Sequence, residues 1–373
     1  MVFIIEALEA KHGDCLLLQY GSADTPSYIL VDGGPSQVFQ KTLRQRLQDI
    51  MDDRQLEQLP IRLAMVSHID DDHINGILDL LDTMATAQNE NAPIPYRIDA
   101  LWHNGFDDIL GNETHELQSV LAASIEAALT SSTAADVPSL RHESALVLAS
   151  VNQGRQLRDK AKLLGIPVNK PYQGLVALPL DGAPSIKLDG DDAIELQVLG
   201  PRLERAQALR EEWDKQIKKS GVARSAAFTD DSVFNLASII ALVTVGGKRA
   251  LLTGDARGDD IIAGLKQAGL LTNGSIMLDL LKLPHHGSDR NVSTSFFRQV
   301  KARKYLVSGD GKHGNPEIAT LKMLLDARGG DSFTIYLTNL EPRLVDFFNQ
   351  NARPNYKVEF RKSSDAGIAV HLI

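Results

Sequence analysis

The chain has 373 residues, 43% of them hydrophobic and 23% charged, a composition that excludes disorder over most of its length. Its formal net charge of −9, with no lysine/arginine tract, excludes a protein that grips nucleic acid with its whole surface. The one cysteine, Cys15, excludes an internal disulfide and fits a reducing, cytoplasmic setting.

The opening residues predict strands. "FIIEAL", "CLLLQY" and "SYILVDGG" are short apolar runs separated by Gly, Asp, Ser and Pro. "MVFIIEALEAKHGD" has no basic start and its apolar run is broken by Glu6, so it does not read as a signal peptide. No run of about 18 apolar residues occurs, so no membrane span and no membrane partner is expected. Apolar residues at helical spacing predict a helix over about 38–57. "IRLAMVS" reads as a buried strand, the acidic stretch "HIDDDH" as a loop and "INGILDLLDTMATA" as a helix. "RIDALWHNG" reads as a further strand and loop.

From about 113 to 170 the pattern turns helical, and an insertion over 107–180, mostly helical, is expected within a single domain spanning 1–373. "SIKLDGDDAIELQVLGP" predicts a hairpin around Gly190, and "RLERAQALREEWDKQIKKS" a charged helix that includes Trp213. "NLASIIALVTVGGKRALLTGD" predicts two strands joined by a Gly-Gly turn. "DLLKLPHHGS" is strand then loop, "STSFFRQV" a helix and "KYLVSG" a strand. A helix over about 316–328 and the strands "TIYLTN", "KVEFRK" and "GIAVHLI" close the chain.

Chemistry concentrates where strands end. "SHIDDDH" offers His68, Asp70, Asp72 and His73 within one turn. Divalent metals want these imidazole and carboxylate donors, and they cancel the repulsion between adjacent aspartates. The plain alternative is an acidic turn with Asp72 as N-cap of the helix at Ile74. "LLTGDA" ends a strand at Asp255, "LKLPHHGSD" carries His285 and His286, and "SGDGKHGNPE" holds His313 in a glycine-rich loop. Each alone also reads as an ordinary turn. Together they place His or Asp at four strand ends, which random placement does not do.

"HIDDDH" resembles the H-x-[HD]-x-D-H motif of metallo-β-lactamase fold hydrolases. The series "KHGDCLLLQY", "ILVDGG", "SHIDDDHINGI", "LLTGD", "LKLPHHGS" and "HGNPE" resembles the hydrolase domain of ComEC/Rec2-type DNA-uptake channels and its stand-alone soluble relatives. The resemblance implies an α/β fold, a four-layer αββα sandwich with metals at the edge between two sheets. It implies two divalent ions, Mn²⁺ or Zn²⁺, held by His68, Asp70, Asp72, His73, Asp255 and His286, with Asp255 bridging. Catalytic roles would fall to Asp72, His285 and His313, and substrate contact to His285 and Ser288. Which of His285, His286 and His313 bind metal stays open. Asp32, Asn235 and Ser238 would support the ligands from behind.

Two departures from the superfamily pattern stand out. Asp at position 70, where most members have His, makes the donor set richer in oxygen and favours Mn²⁺. The histidine that usually precedes the bridging aspartate is missing, with Asn235 and Ser238 in that region. A single-metal or inactive site is therefore open, and His103 in "LWHNG" is an out-of-register candidate for the gap. His12, His115, His142 and His371 read as structural or exposed. Arg298, Lys301, Arg303 and Lys304 read as a solvated helix end or as a phosphate-binding edge.

The expected activity is a metal-dependent phosphodiesterase or nuclease using a metal-bridging hydroxide, with nucleic acid or a nucleotide as substrate. The phosphodiester assignment rests on the branch alone. The alternatives are an acyl or lactone hydrolase on the same site, and a degenerate metal-binding scaffold acting through protein partners.

Overall fold

A computed structural model describes residues 1–105, 108, 150, 152–188, 191–207 and 237–373. Among them two sheets stack between layers of helix. The first sheet runs β15 (Gly367–His371), β1 (Val2–Leu8), β2 (Leu16–Gly21), β3 (Pro26–Val31), β4 (Leu59–Met65) and β5 (Tyr96–Ile98), and β6 (Leu101–Trp102) also pairs with β4. The second runs β14 (Tyr356–Phe360), β13 (Phe333–Leu337), β12 (Val300–Val307), β11 (Ile276–Lys282), β10 (Lys248–Leu252), β9 (Ile240–Val245), β8 (Asp191–Gly200) and β7 (Ile186–Leu188). The last strand thus returns to the first sheet, where it lies antiparallel to β1.

The strands are continuous apolar runs because both of their faces are buried. In β2, Leu16, Leu18 and Tyr20 face the second sheet, while Leu17 faces the outer helices. In β9, Ala241, Val243 and Val245 face inward and Leu242 outward. This period of two splits each strand between two cores. The inner core joins Phe3, Ile5, Val31 and Met65 to Val198, Leu252, Leu280 and Leu306. Helices Arg44–Arg54 and Asp71–Asn89 cover the outer face of the first sheet through Leu47, Ile50, Ile74 and Ile77. Helices Gly258–Gln267, Thr294–Gln299, Ile318–Arg328 and Pro342–Gln350 cover the second through Ile261, Phe296, Leu324 and Leu344. The result is a four-layer αββα sandwich.

Several boundaries differ from those the sequence suggests. The predicted helix over 38–57 divides into a π-helical turn, Phe39–Leu43, and the α-helix Arg44–Arg54. The helix after β4 starts at Asp71, so Asp71, Asp72 and His73 form its first turn rather than a loop. Its N-cap is Asp70, not Asp72, and the Asp70 side chain makes no capping bond. Carboxylates at a helix N-terminus satisfy the helix dipole, and Asp71 also accepts a hydrogen bond from Gln153 Nε2 at 2.6 Å. Helices Gly258–Gln267 and Pro342–Gln350 are additional to those the sequence suggested. Of the insertion expected over 107–180, residues 152–163 are helical and most of the rest lies outside the described residues, as do Trp213, His115 and His142.

The helix Asp71–Asn89 is seated by an unusually close approach. Gly33 N–H donates to the His73 carbonyl at 2.7 Å, and Gly76 N–H to the Gly34 carbonyl at 3.2 Å. A Cβ on Gly76 would lie 1.9 Å from the Gly33 carbonyl oxygen. Gly76→Ala should therefore destabilise by about 1–3 kcal/mol through overpacking, although alanine is the better helix former by about 1 kcal/mol. Urea denaturation measures this, and an increase in stability would contradict the seating.

Candidate metal centre

Parallel strands aim their carboxyl ends in one direction, and in α/β sheets that edge is where ligands bind. Here β3 and β4 run parallel in the first sheet, and β10, β11 and β12 in the second. Their ends deliver Asp32 after β3, Ser67 and His68 after β4, Asp255 after β10, His285 and His286 after β11 and Ser308 after β12. The two edges are tied where Ile239 N–H donates to the Ser67 carbonyl at 2.8 Å. Gly254, at φ +48, lets them close up, since a Cβ there would lie 2.8 Å from the Ser67 Cβ.

Asp255 sits at the middle, buried, with one oxygen toward each of two histidine pairs. Its Oδ2 lies 3.9 Å from His68 Nε2 and 3.5 Å from His285 Nε2. Its Oδ1 lies 3.3 Å from His73 Nε2 and 3.6 Å from His286 Nε2. Asp70 completes the first group, 3.4 Å from His68 Nε2. Asp72 completes the second, 3.4 Å from His286 Nε2 and 3.9 Å from His73 Nε2.

The other nitrogen of each ring is tied back. His73 Nδ1 meets Asp32 Oδ2 at 2.9 Å. Ser67 Oγ donates to that same carboxylate at 2.8 Å, which leaves its lone pair for His68 Nδ1 at 3.1 Å. Asn291 spends its Nδ2 hydrogens on the Asp255 and Ala256 carbonyls, so its Oδ1 accepts from His285 Nδ1 at 3.0 Å. His286 Nδ1 meets Ser308 Oγ at 2.9 Å. Each neutral ring thereby carries its proton on Nδ1 and turns a lone pair on Nε2 toward Asp255, the arrangement of metal-binding histidines.

The donor set fits a divalent ion. His68 Nε2 and Asp255 Oδ1 are buried polar atoms without a hydrogen-bond partner, a costly state unless something satisfies them. His68, Asp72 and His73 offer ligand atoms all within 4.8 Å of one another, and so do Asp14, His73, Asp255 and His286. Asp14 belongs to the second grouping by proximity, yet it lies behind His286. Its Oδ1 is 3.4 Å from Nδ1, the nitrogen turned away from Asp255. The backbone adds its own signature. His285 and His286 both adopt left-handed conformations, at φ 49° and 52°, which cost non-glycine residues about 1–2 kcal/mol each. A hydrogen bond from His285 N–H to the Gly254 carbonyl, at 3.1 Å, helps hold the turn. Strain of this kind collects at functional sites.

The remaining sequence candidates fall in different places. Ser238 Oγ accepts the Asp255 N–H at 3.2 Å and so supports the central carboxylate through its backbone. Asn235 lies outside the described residues. Ser288 follows the histidine turn, buried, and its N–H donates to the His285 carbonyl at 2.9 Å. His313 is not in the donor cluster; it is exposed, and its ring meets His12 edge-on at 4.9 Å. His12, expected to be merely structural, is half-buried close to Asp72. His103 does not fill the gap in the ligand pattern. It is fully buried, and among the described residues both ring nitrogens lack a hydrogen-bond partner and the Asp108 carboxylate lies 4.0 Å away. His285 faces the Asp255 oxygen that His68 also faces. Lys301, Arg303 and Lys304 lie toward the opening end of β12, away from Ser308, and Lys301 and Arg303 approach Asp331 and Asp279. They form no phosphate-binding edge at this site. Sequence reasoning missed Asp14, Lys282 and Ser308, although the first two stand in the "HGDC" and "LKLPHHGS" segments.

Charge at the centre has a direction. Burial disfavours a cationic His286, but the carboxylates of Asp255 and Asp14 outweigh it and push the imidazole up to about 9. Burial likewise opposes a charged His73, and Asp255, Asp32 and Asp72 raise it well above its usual value. Burial would raise Asp255, yet the surrounding imidazoles hold it well below the carboxylate range. A raised histidine stabilises the fold fully below its unfolded value of about 6.5 and loses that contribution as pH climbs through its folded value. The metal-free protein should therefore lose stability between about pH 6.5 and 9. A divalent ion competes with the same protons, so the rise in melting temperature that it produces should grow over that window. Thermal unfolding with EDTA and with Mn²⁺ or Zn²⁺ at several pH values checks both trends. A metal-induced rise that shrinks with pH would contradict the assignment.

No family profile matches the chain, and no curated protein matches it. Among solved structures it is similar to a candidate metal-dependent hydrolase from Parabacteroides distasonis ATCC 8503, at 10% identity and TM-score 0.34, over 96% of this chain and 92% of that one. It is also similar to Zn²⁺-bound PqqB from Methylobacterium extorquens, at 12% identity and TM-score 0.39, over 98% of this chain and 99% of that one. Both likenesses are distant, and the donor geometry stands independently of them. The layer order and the strand-end donors are those of a four-layer αββα sandwich with candidate metal ligands at the edge between its sheets.

Proposed function

We propose that the protein is a metal-dependent hydrolase acting on phosphodiester bonds, with nucleic acid or a nucleotide as substrate. The observation that carries the metal assignment is the convergence of four tied-back imidazoles on the two oxygens of Asp255. One ion would be held by His68, Asp70, His285 and Asp255, and a second by Asp72, His73, His286 and Asp255. Charge supports the count. Asp14, Asp32, Asp70, Asp72 and Asp255 bring five carboxylates to the centre, against one buried ammonium, Lys282. The surplus of four negative charges equals what two divalent cations cancel.

When bound, such ions acidify a water and neutralise charge on phosphoryl oxygens. The chain's own groups set the rest. The three carboxylates among the donors make the centre hard, which favours Mn²⁺ over a purely nitrogen-rich zinc site. His12 stands near Asp72, with His313 edge-on against it, and either imidazole would serve a leaving or non-bridging oxygen. The phosphodiester reading draws support from this cation-demanding centre in a chain of net charge −9, which must hold a polyanion locally, through bound metals or a small basic patch. Among the described residues no helix is long and apolar enough to cross a membrane.

Metal-stripped protein should regain hydrolysis of bis-p-nitrophenyl phosphate when Mn²⁺ or Zn²⁺ is restored. Turnover of p-nitrophenyl acetate or a lactone with none of the phosphodiester would move the assignment to acyl chemistry. Bound metal with turnover of neither would leave a scaffold that works through partners.

A further inference from the structure

Behind the second group of donors lies a buried chain of three residues from three different parts of the sequence. Lys282, at the last position of β11, is 1% exposed, and its Nζ lies 2.7 Å from Asp14 Oδ2. Asp14, also 1% exposed, accepts on Oδ1 a hydrogen bond from the Ser308 hydroxyl. Ser308 is 2.9 Å from His286 Nδ1. A serine hydroxyl has one hydrogen. With that hydrogen spent on a carboxylate, the oxygen can only accept from His286, so in the neutral ring Nδ1 carries the proton and Nε2 keeps the lone pair. Lys282 keeps the carboxylate charged and in place, and its own Nζ also donates to the Leu283 carbonyl at 3.0 Å. A lysine that served only packing would be a poor choice here, because a fully buried ammonium is costly unless paired.

We infer that Lys282, Asp14 and Ser308 are positioning residues that lock the His286 tautomer and so set the affinity of one metal position, the one shared by Asp72, His73 and His286, without governing the other. The other position does not depend on them. His68 and His285 are held by Ser67 and Asn291, whose hydrogen bonds run to Asp32, His73 and the Asp255 and Ala256 carbonyls rather than to Lys282, Asp14 or Ser308. The inference rests on the two-ion reading above.

Titration of metal-stripped wild type with Co²⁺, followed by visible absorption, and with Zn²⁺, followed by calorimetry, resolves the two positions. Ser308→Ala should weaken one equivalent by about 10–100-fold, the usual cost of removing a group behind a metal ligand, and leave the other within about twofold. Ser308→Thr, which restores the hydroxyl, should recover most of the loss, which a purely structural change would not. Asp14→Asn/Lys282→Met removes both charges together and should weaken the same equivalent. If that double variant does not fold, the Ser308 pair decides alone. Two equivalents of wild-type affinity in Ser308→Ala would overturn the inference while leaving the two-ion reading intact. Equal weakening of both positions would overturn it as well. Wild type binding fewer than two equivalents would overturn the reading itself and the inference with it.

Discussion

Asp255→Ala is expected to abolish retention of both ions and to lower phosphodiester turnover by at least about 10³-fold, since a metal's electrostatic contribution is several kcal/mol. The reason is geometric. Asp72 makes its closest approaches to His73 and His286, at 3.9 and 3.4 Å. Asp70 faces only His68, at 3.4 Å. Asp255 alone presents a separate oxygen to each histidine pair. Its loss should therefore be more severe than that of either neighbour, and Asp72→Ala should still retain one ion. Metal content and initial rates on the three variants test the ranking. Asp255→Ala that kept two ions, or stayed within about tenfold of wild-type rate, would remove the central role given to this residue.

Lys282→Met is expected to destabilise the protein by about 3–5 kcal/mol, the cost of stranding a buried charge by removing its partner. Methionine fills the same space among the leucines of β11, so volume is not the cause. What remains is the Asp14 carboxylate, which the nearby Lys282 and His286 hold well below the usual carboxylate range against the opposing effect of burial. The double variant Asp14→Asn/Lys282→Met should recover most of the loss, because neither charge is then left alone. Urea denaturation of the two singles and the double gives the coupling directly. Lys282→Met within about 1 kcal/mol of wild type would show that the pair does not hold the edge together.

Much of the sandwich is legible in the residues because strands buried on both faces leave short, dense apolar runs between Gly, Pro and Asp. "CLLLQY", "IIALVTV" and "RALLTGD" need no further context. The helix Gly258–Gln267 is harder to see, because its buried Ile261 and Leu265 follow a glycine and two aspartates that read as a turn. The pairing of β15 with β1 is invisible locally, since nothing in "GIAVHLI" names a partner more than 350 residues away.

The donors at the site were legible for a different reason. His68, Asp70, Asp72 and His73 lie within six consecutive residues, and His285 and His286 are adjacent, so proximity in sequence already implies proximity in space. Asp14 was not legible. It reads as a turn residue between two strands, and its meaning comes from contacts with Lys282 and Ser308. Lys282 suffered from the opposite prejudice, as a lysine ending a strand is ordinarily solvated. His313 shows the limit of motif position. Its loop carries it to the rim against His12, not into the cluster around Asp255.

The most direct test is the metal content of wild-type protein, by elemental analysis after equilibration with Mn²⁺ or Zn²⁺ and removal of free ions. The account requires about two ions per chain, with protons taken up by the protein when EDTA removes them. Protein that retains no ion under these conditions would contradict the metal centre built around Asp255.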